Sequence, residues 1–297
     1  MKKCLASARP AGGALLLALF VGMLLTASWS LSGPAQPNPP TAWNPANLAK
    51  INPAHNPLIF AVLADSRDSR GIFGQVLQQM AADPELTFAI HLGDIASQGK
   101  PREFYQFFDQ IRQFLRIPLV AAPGNHDLDR SSGPSRKTYE SLFGPPYYSF
   151  AIGRTCFLVL DNADAHGLSG EQFAWLEAEL TKAQAFQHRL VFMHVPLFDP
   201  RHKGKPHAMA EAQGRRLAEL FQRQGVHHIF AGHIHGYFAG EWQGIPFTIT
   251  GGAGAPLQGA DPEHYFYHYL KVRVDGDKLD VRVQRVEVPV ESPSLTP

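Results

Sequence analysis

The chain has 297 residues, a formal net charge of +1 and only two cysteines. With no Lys/Arg cluster there is no electrostatic footprint for nucleic acid, and two cysteines exclude both a disulfide framework and a cysteine-ligated metal cluster. Fourteen histidines are many for this length, so their positions carry weight.

The first three residues, Met1 to Lys3, are basic, and Ala11 to Leu25 is almost wholly apolar and uncharged. This predicts a signal peptide or a retained N-terminal anchor over residues 1–31. The apolar run nearly reaches the roughly 20 residues needed to span a bilayer, and Thr26-Ala27-Ser28 offers a small-residue cleavage site. Either outcome places the rest outside the cytoplasm, in the periplasm or its equivalent, soluble or tethered to the inner membrane. Residues 32–57, rich in Pro, Asn and Ala, read as an extended linker. Residues 58–288 form one domain, and 289–297 a frayed tail.

Within the domain, Leu58 to Ala64 reads as a buried strand ending at Asp65. Phe73 to Ala82 has helical spacing. Thr87 to Leu92 is a strand ending at Gly93-Asp94, and Glu103 to Leu115 an amphipathic helix. Pro118 to Ala122 is a strand ending at Pro123-Gly124-Asn125-His126-Asp127. Tyr147 to Ile152 and Thr155 to Leu160 flank a hairpin at Gly153-Arg154. Ser169-Gly170-Glu171-Gln172 opens a helix. Arg189 to Met193 ends at His194, Ala208 to Gln224 is helical, and Val226 to Ala231 ends at Gly232-His233-Ile234-His235. Strand-like pieces follow at Pro246 to Thr250, Tyr265 to Val274 and Lys278 to Val288, the last two joined by a hairpin at Asp275-Gly276-Asp277. The alternation predicts an α/β fold of two packed mixed sheets flanked by helices, with polar groups gathered past the carboxyl ends of the strands.

Five strand ends thus deliver Asp65, Asp94, Asn125-His126, His194 and His233-x-His235. Carboxylate oxygens with imidazole nitrogens suit Mn, Fe, Zn or Ni. Two such cations about 3.5–4 Å apart clamp the attacking and leaving oxygens of a phosphoryl transfer and acidify water. Two histidines two apart on a strand share a face, which argues against a merely structural role for His233 and His235.

Gly93-Asp94, Gly124-Asn125-His126-Asp127, His194 and Gly232-His233-Ile234-His235 together resemble the motifs of calcineurin-like metallophosphoesterases, over nearly all of Leu58 to Val288. The resemblance implies a four-layer α/β/β/α sandwich and a metal-dependent hydrolase of phosphomonoesters or phosphodiesters. It implies two metal ions (Mn, Fe or Zn), a metal-activated hydroxide and a small phosphoester substrate. Asp65 and His235 would hold metal 1, Asp94 would bridge, and Asn125, His194 and His233 would hold metal 2. His126 would contact phosphate and protonate the leaving group, with Asp127 orienting it. Gly252-Ala253-Gly254-Ala255-Pro256 also resembles a loop of bacterial members.

One position departs. Where the family has Asp-x-His, this chain has Asp65-Ser66-Arg67, and arginine has no lone pair to offer a metal. Metal 1 is then held by Asp65, Asp94, His235 and waters, or gains a substitute such as Asp68 or His91, or binds weakly or is absent. Arg67 either meets a phosphate oxygen or pairs with Asp68 or another loop acid. The tyrosine of purple acid phosphatases is missing from Asp94-Ile95-Ala96-Ser97, which disfavours a purple iron site. The alternative function is a non-catalytic metal- and anion-binding module of the same fold. His202 and His207 sit in a basic loop that either lines the cleft or is solvated. Nothing sets the oligomeric state.

Overall fold

The apolar runs that end in acids and imidazoles become strands, and the phenylalanines along them decide how two sheets meet. The computed structural model describes residues 42–288 apart from 132, 165 and 202–206. The expected signal or anchor, the tail and His202 lie outside the described residues. No helix among the described residues is long and apolar enough to cross a membrane.

One sheet holds β1 (Leu58–Leu63), β2 (Phe88–His91), β3 (Leu119–Ala121), β10 (His268–Asp275) and β11 (Lys278–Arg285), in the order β11-β10-β1-β2-β3. The second holds β4 (Tyr148–Ile152), β5 (Thr155–Val159), β6 (His188–Phe192), β7 (His228–Ala231), β8 (Tyr237–Trp242) and β9 (Ile245–Thr250), in the order β4-β5-β6-β7-β9-β8. β1, β2 and β3 run parallel, as do β5, β6, β7 and β9, while β10, β11, β4 and β8 pair antiparallel.

Every residue of β1, β2, β5 and β7 is buried, as strands covered on both faces require. Alternation then sends side chains two ways. Phe60 and Phe88 meet Phe157 of the other sheet at ring-centroid distances of 5.4 and 5.7 Å, which makes the layer between the sheets aromatic. Ile59, Ala61, Leu63 and Ala89 point outward, under α2 (Arg70–Ala81) and α3 (Pro101–Phe114). Cys156, Leu158, Val191 and Ile229 do the same under α5 (Gly170–Lys182) and α6 (Glu211–Arg223). The result is the four-layer α/β/β/α sandwich. Ser69 and Ser169 cap α2 and α5 by accepting the backbone N–H groups of Ile72 and Gln172.

Three elements were not expected. The segment read as an extended linker contains α1 (Trp43–Leu48). It is held by tertiary bonds rather than by helical periodicity: Trp43 Nε1 donates to Leu119 O at 2.7 Å, and the ring stacks on Phe108 at 4.4 Å. Asn44 clasps Ala121, donating to its carbonyl and accepting from its amide, each at 2.9 Å. The domain therefore includes residue 42 onward. α4 (Lys137–Phe143) buries only Tyr139 and Phe143, and β8 carries three exposed residues in its middle, so neither shows a clear period. The expected C-terminal strand also stops at Arg285.

Candidate active site

The carboxyl ends of the parallel strands from both sheets gather at one rim. Asp65 follows β1, Asp94 follows β2, Asn125 and His126 follow β3, His194 follows β6, and His233 and His235 follow β7. Asp65, Asp94 and His233 have φ of 62°, 57° and 69°, a left-handed conformation that costs a non-glycine residue about 1–3 kcal/mol and clusters at functional sites. The turns pack tightly: a Cβ on Gly124 would collide with the amide and carboxylate of Asp94, so only glycine lets the two strand-end loops approach.

Ligand-type atoms of Asp65, Asp94 and His194, all fully buried, lie within 4.8 Å of one another. His194 donates from Nδ1 to Leu92 O at 2.8 Å. Its Nε2 then faces Asp94 Oδ1 at 3.3 Å and Asn125 Oδ1 at 3.0 Å. With Nδ1 committed to a carbonyl, Nε2 is the ring atom that points at the two oxygens. That convergence calls for a positive charge between them. His235 repeats the arrangement, donating from Nδ1 to Pro256 O at 2.7 Å and placing Nε2 3.4 Å from Asp65 Oδ1. Asp65 Oδ1 is buried with no hydrogen-bond donor. Orphaned buried oxygens, and imidazoles whose far nitrogens are tied to carbonyls, fit divalent cations.

His233 packs its ring 5.1 Å from that of His194, and its amide donates to Asp65 Oδ2 at 2.9 Å. Burial would raise the Asp65 carboxyl, but the His235, His194 and His233 rings outweigh it and hold it below the usual carboxylate range. Burial, with His194 nearby, pushes His233 down to about 3, so this ring is neutral at pH 7. His235 is also buried, yet the Asp65 carboxylate beside it raises it.

His126 is half-buried. Its amide donates to Asp94 Oδ1 and its Nδ1 to Ser97 O, both at 2.9 Å. It borders a cleft of about 390 Å³ that Lys100, Leu128 and Arg130 also line.

The expectation that Asp127 orients His126 is corrected. The Asp127 carboxylate turns inward and accepts four backbone N–H groups: Gly124 at 2.7 Å, Ala96 at 2.8 Å, and Asp94 and Ile95 at 2.9 Å. Buried amides need partners, and this requirement outweighs adjacency in sequence. The orienting contact comes instead from the Ser97 carbonyl, a backbone atom that leaves no mark in sequence. Arg67 is not free: it pairs with Asp68 and lies 3.4 Å from Asp94 Oδ2. Asp68, a possible substitute ligand, is committed to Arg67 and Ser97. His91, the other, accepts from Gly93 N at Nδ1 and meets Ser66 Oγ at Nε2, which leaves it no lone pair for a metal. His207, one of two loop histidines, lies 5.8 Å from the His233 ring.

The calcineurin-like phosphoesterase family description matches residues 58–237. The human serine/threonine-protein phosphatase CPPED1 is 31% identical over 213 residues, 65% of this chain and 65% of that protein. The match therefore spans just under two thirds of that relative's length. Purple acid phosphatase 23 of Arabidopsis thaliana is 28% identical over 183 residues, 52% of this chain and 40% of that protein. In structure, the purple acid phosphatase PPD1 from yellow lupin seeds aligns with a TM-score of 0.66 at 18% identity, over 79% of this chain and 52% of that one, a likeness of fold. By its motifs, its layers and the span of the family match, this chain belongs to the calcineurin-like phosphoesterase family.

Proposed function

We propose that the chain hydrolyses phosphomonoesters or phosphodiesters with two divalent cations. Asp65, His235 and Asp94 would hold one, and Asp94, Asn125, His194 and His233 the other. The observation that carries this reading is the convergence of acceptor atoms from separate strands, with Asp65 Oδ1 buried and unpartnered. Bound there, such cations neutralise phosphoryl oxygens and lower the pKa of water toward ~7.

The chain's own residues do the rest. The left-handed turns at Asp65 and Asp94 fix both carboxylates before substrate arrives, so little reorganisation remains. His126, its Nδ1–H held by Ser97 O, would deliver a proton from Nε2 to the departing alkoxide when the ring carries both protons, and would keep the Nδ1–H afterwards. The cleft beside it is where a leaving group sits. The charged, apolar start of the chain supports export, with residues 42–288 beyond the inner membrane, soluble or anchored.

The test is hydrolysis of p-nitrophenyl phosphate and bis(p-nitrophenyl) phosphate by the full chain with added Mn²⁺, Zn²⁺ or Fe²⁺. Turnover above an Asp94→Asn control is expected. Metal uptake without turnover would favour the binding-module alternative.

A further inference from the structure

Asp94 is the carboxylate that both proposed cation positions would share, and its two oxygens meet different neighbours. Oδ1 accepts the His126 amide at 2.9 Å and lies 3.3 Å from His194 Nε2. Oδ2 lies 3.4 Å from Nε of Arg67. That guanidinium is fixed from several sides. Its Nη1 pairs with Asp68, Asp68 accepts the Ser97 hydroxyl, and the Arg67 amide donates to Asp94 O at 3.1 Å. Arg67 belongs to the turn after β1 and follows Asp65 by two residues.

Arginine stays protonated at any working pH, so it is a permanent cation beside the shared carboxylate. A metal ion on the Asp65–His235 side would compete with it for the Asp94 carboxylate and be repelled by it at short range. An ion on the His194 side would face Asp94 Oδ1, the oxygen that Arg67 does not touch.

We propose that the two cation positions are unequal: the Asp94 Oδ1–Asn125–His194 position binds a divalent cation tightly, and the Asp65–His235 position binds a second one weakly because Arg67 occupies Asp94 Oδ2. This rests on the phosphoesterase reading. Its consequence is an activity that responds to the concentration of free divalent cation after the first position is full.

The experiment uses the full chain stripped by chelator, with folding checked by circular dichroism. Mn²⁺ binding is followed by calorimetry, and bound metal is counted after gel filtration. One equivalent is expected to survive filtration, with a second binding at least about tenfold more weakly. Arg67→Met removes the charge without adding a ligand that Mn²⁺ favours. It should tighten the second step by about tenfold or more and retain two equivalents. Arg67→Lys keeps the charge and should keep the wild-type pattern, which reads out the same point if the Met variant folds poorly. Two equally tight equivalents in the wild-type chain, or a folded Met variant that binds as the wild type does, overturns the inequality and leaves the phosphoesterase reading standing. A wild-type chain that binds no metal overturns both.

Discussion

The Asp127 carboxylate accepts the backbone N–H of Asp94 at 2.9 Å, and so reaches the candidate bridging residue through its backbone rather than through its side chain. Together with Gly124, Ile95 and Ala96 it is the point where the loop after β3 is fastened to the loop after β2.

Asp127→Ala strands four buried N–H groups. It should destabilise the fold by about 3–5 kcal/mol in urea denaturation, since unsatisfied buried donors are costly. Asp127→Asn keeps the shape and one acceptor oxygen and should lose less. A cost under about 1 kcal/mol for the alanine variant would contradict this role.

His126→Gln should separate substrates by leaving group. Phenyl phosphate, whose alkoxide needs a proton, should lose about 10²–10³-fold in kcat, and p-nitrophenyl phosphate about tenfold or less. Equal losses would mean that His126 does not act as the acid.

Acid should weaken the metal-free protein through its buried histidines. Burial pushes His91 down to about 3 from an ordinary 6.5. The unfolded chain therefore takes up this proton first. Stability from keeping the ring neutral is present above 6.5 and is lost as pH falls through the window toward 3. His228 and His268, both pushed to about 4 by burial, act in the same direction. Replacing His91 with Gln should reduce the slope of stability against pH by about 1.4 kcal/mol per unit between pH 4 and 6, measured by urea melts in chelator. An unchanged slope would show that His91 titrates normally.

Asn44→Ala removes a donor and an acceptor from Ala121, four residues before Asn125. A loss of about 1–3 kcal/mol in stability is expected. The Ala121 carbonyl would keep the Tyr139 and Tyr148 hydroxyls, at 2.7 and 3.1 Å, so the fold should survive. Weaker metal retention than in the wild-type chain would show that α1 steadies the loop holding Asn125.

What was legible in the sequence were groups whose position follows from a buried strand. β1, β2 and β7 are mostly apolar and buried throughout, and each leads within a few residues to Asp65, Gly93-Asp94 or Gly232-His233, so the ligand-type ends could be read directly. What was not legible depended on contacts between distant segments. Trp43 and Asn44 take their role from bonds to β3, across more than seventy residues, and Trp43 also from its stack on Phe108. Asp127 sits next to His126 in sequence, yet it answers to amides some thirty residues earlier. The Arg67 substitution was visible, but only the fold shows that its guanidinium rests on Asp94.

The hairpins lie at the opposite rim. Val274 pairs with Leu58, so the turn at Gly276 and Asp277 stands beside the start of β1, where the His188 ring reaches the Gly276 carbonyl at 2.8 Å. That corner is a natural handle. A fluorophore, a surface linker or a short grafted peptide placed after Asp277 would be separated from the candidate active-site rim by the full length of the strands, which allows the molecule to be immobilised with its cleft facing solution.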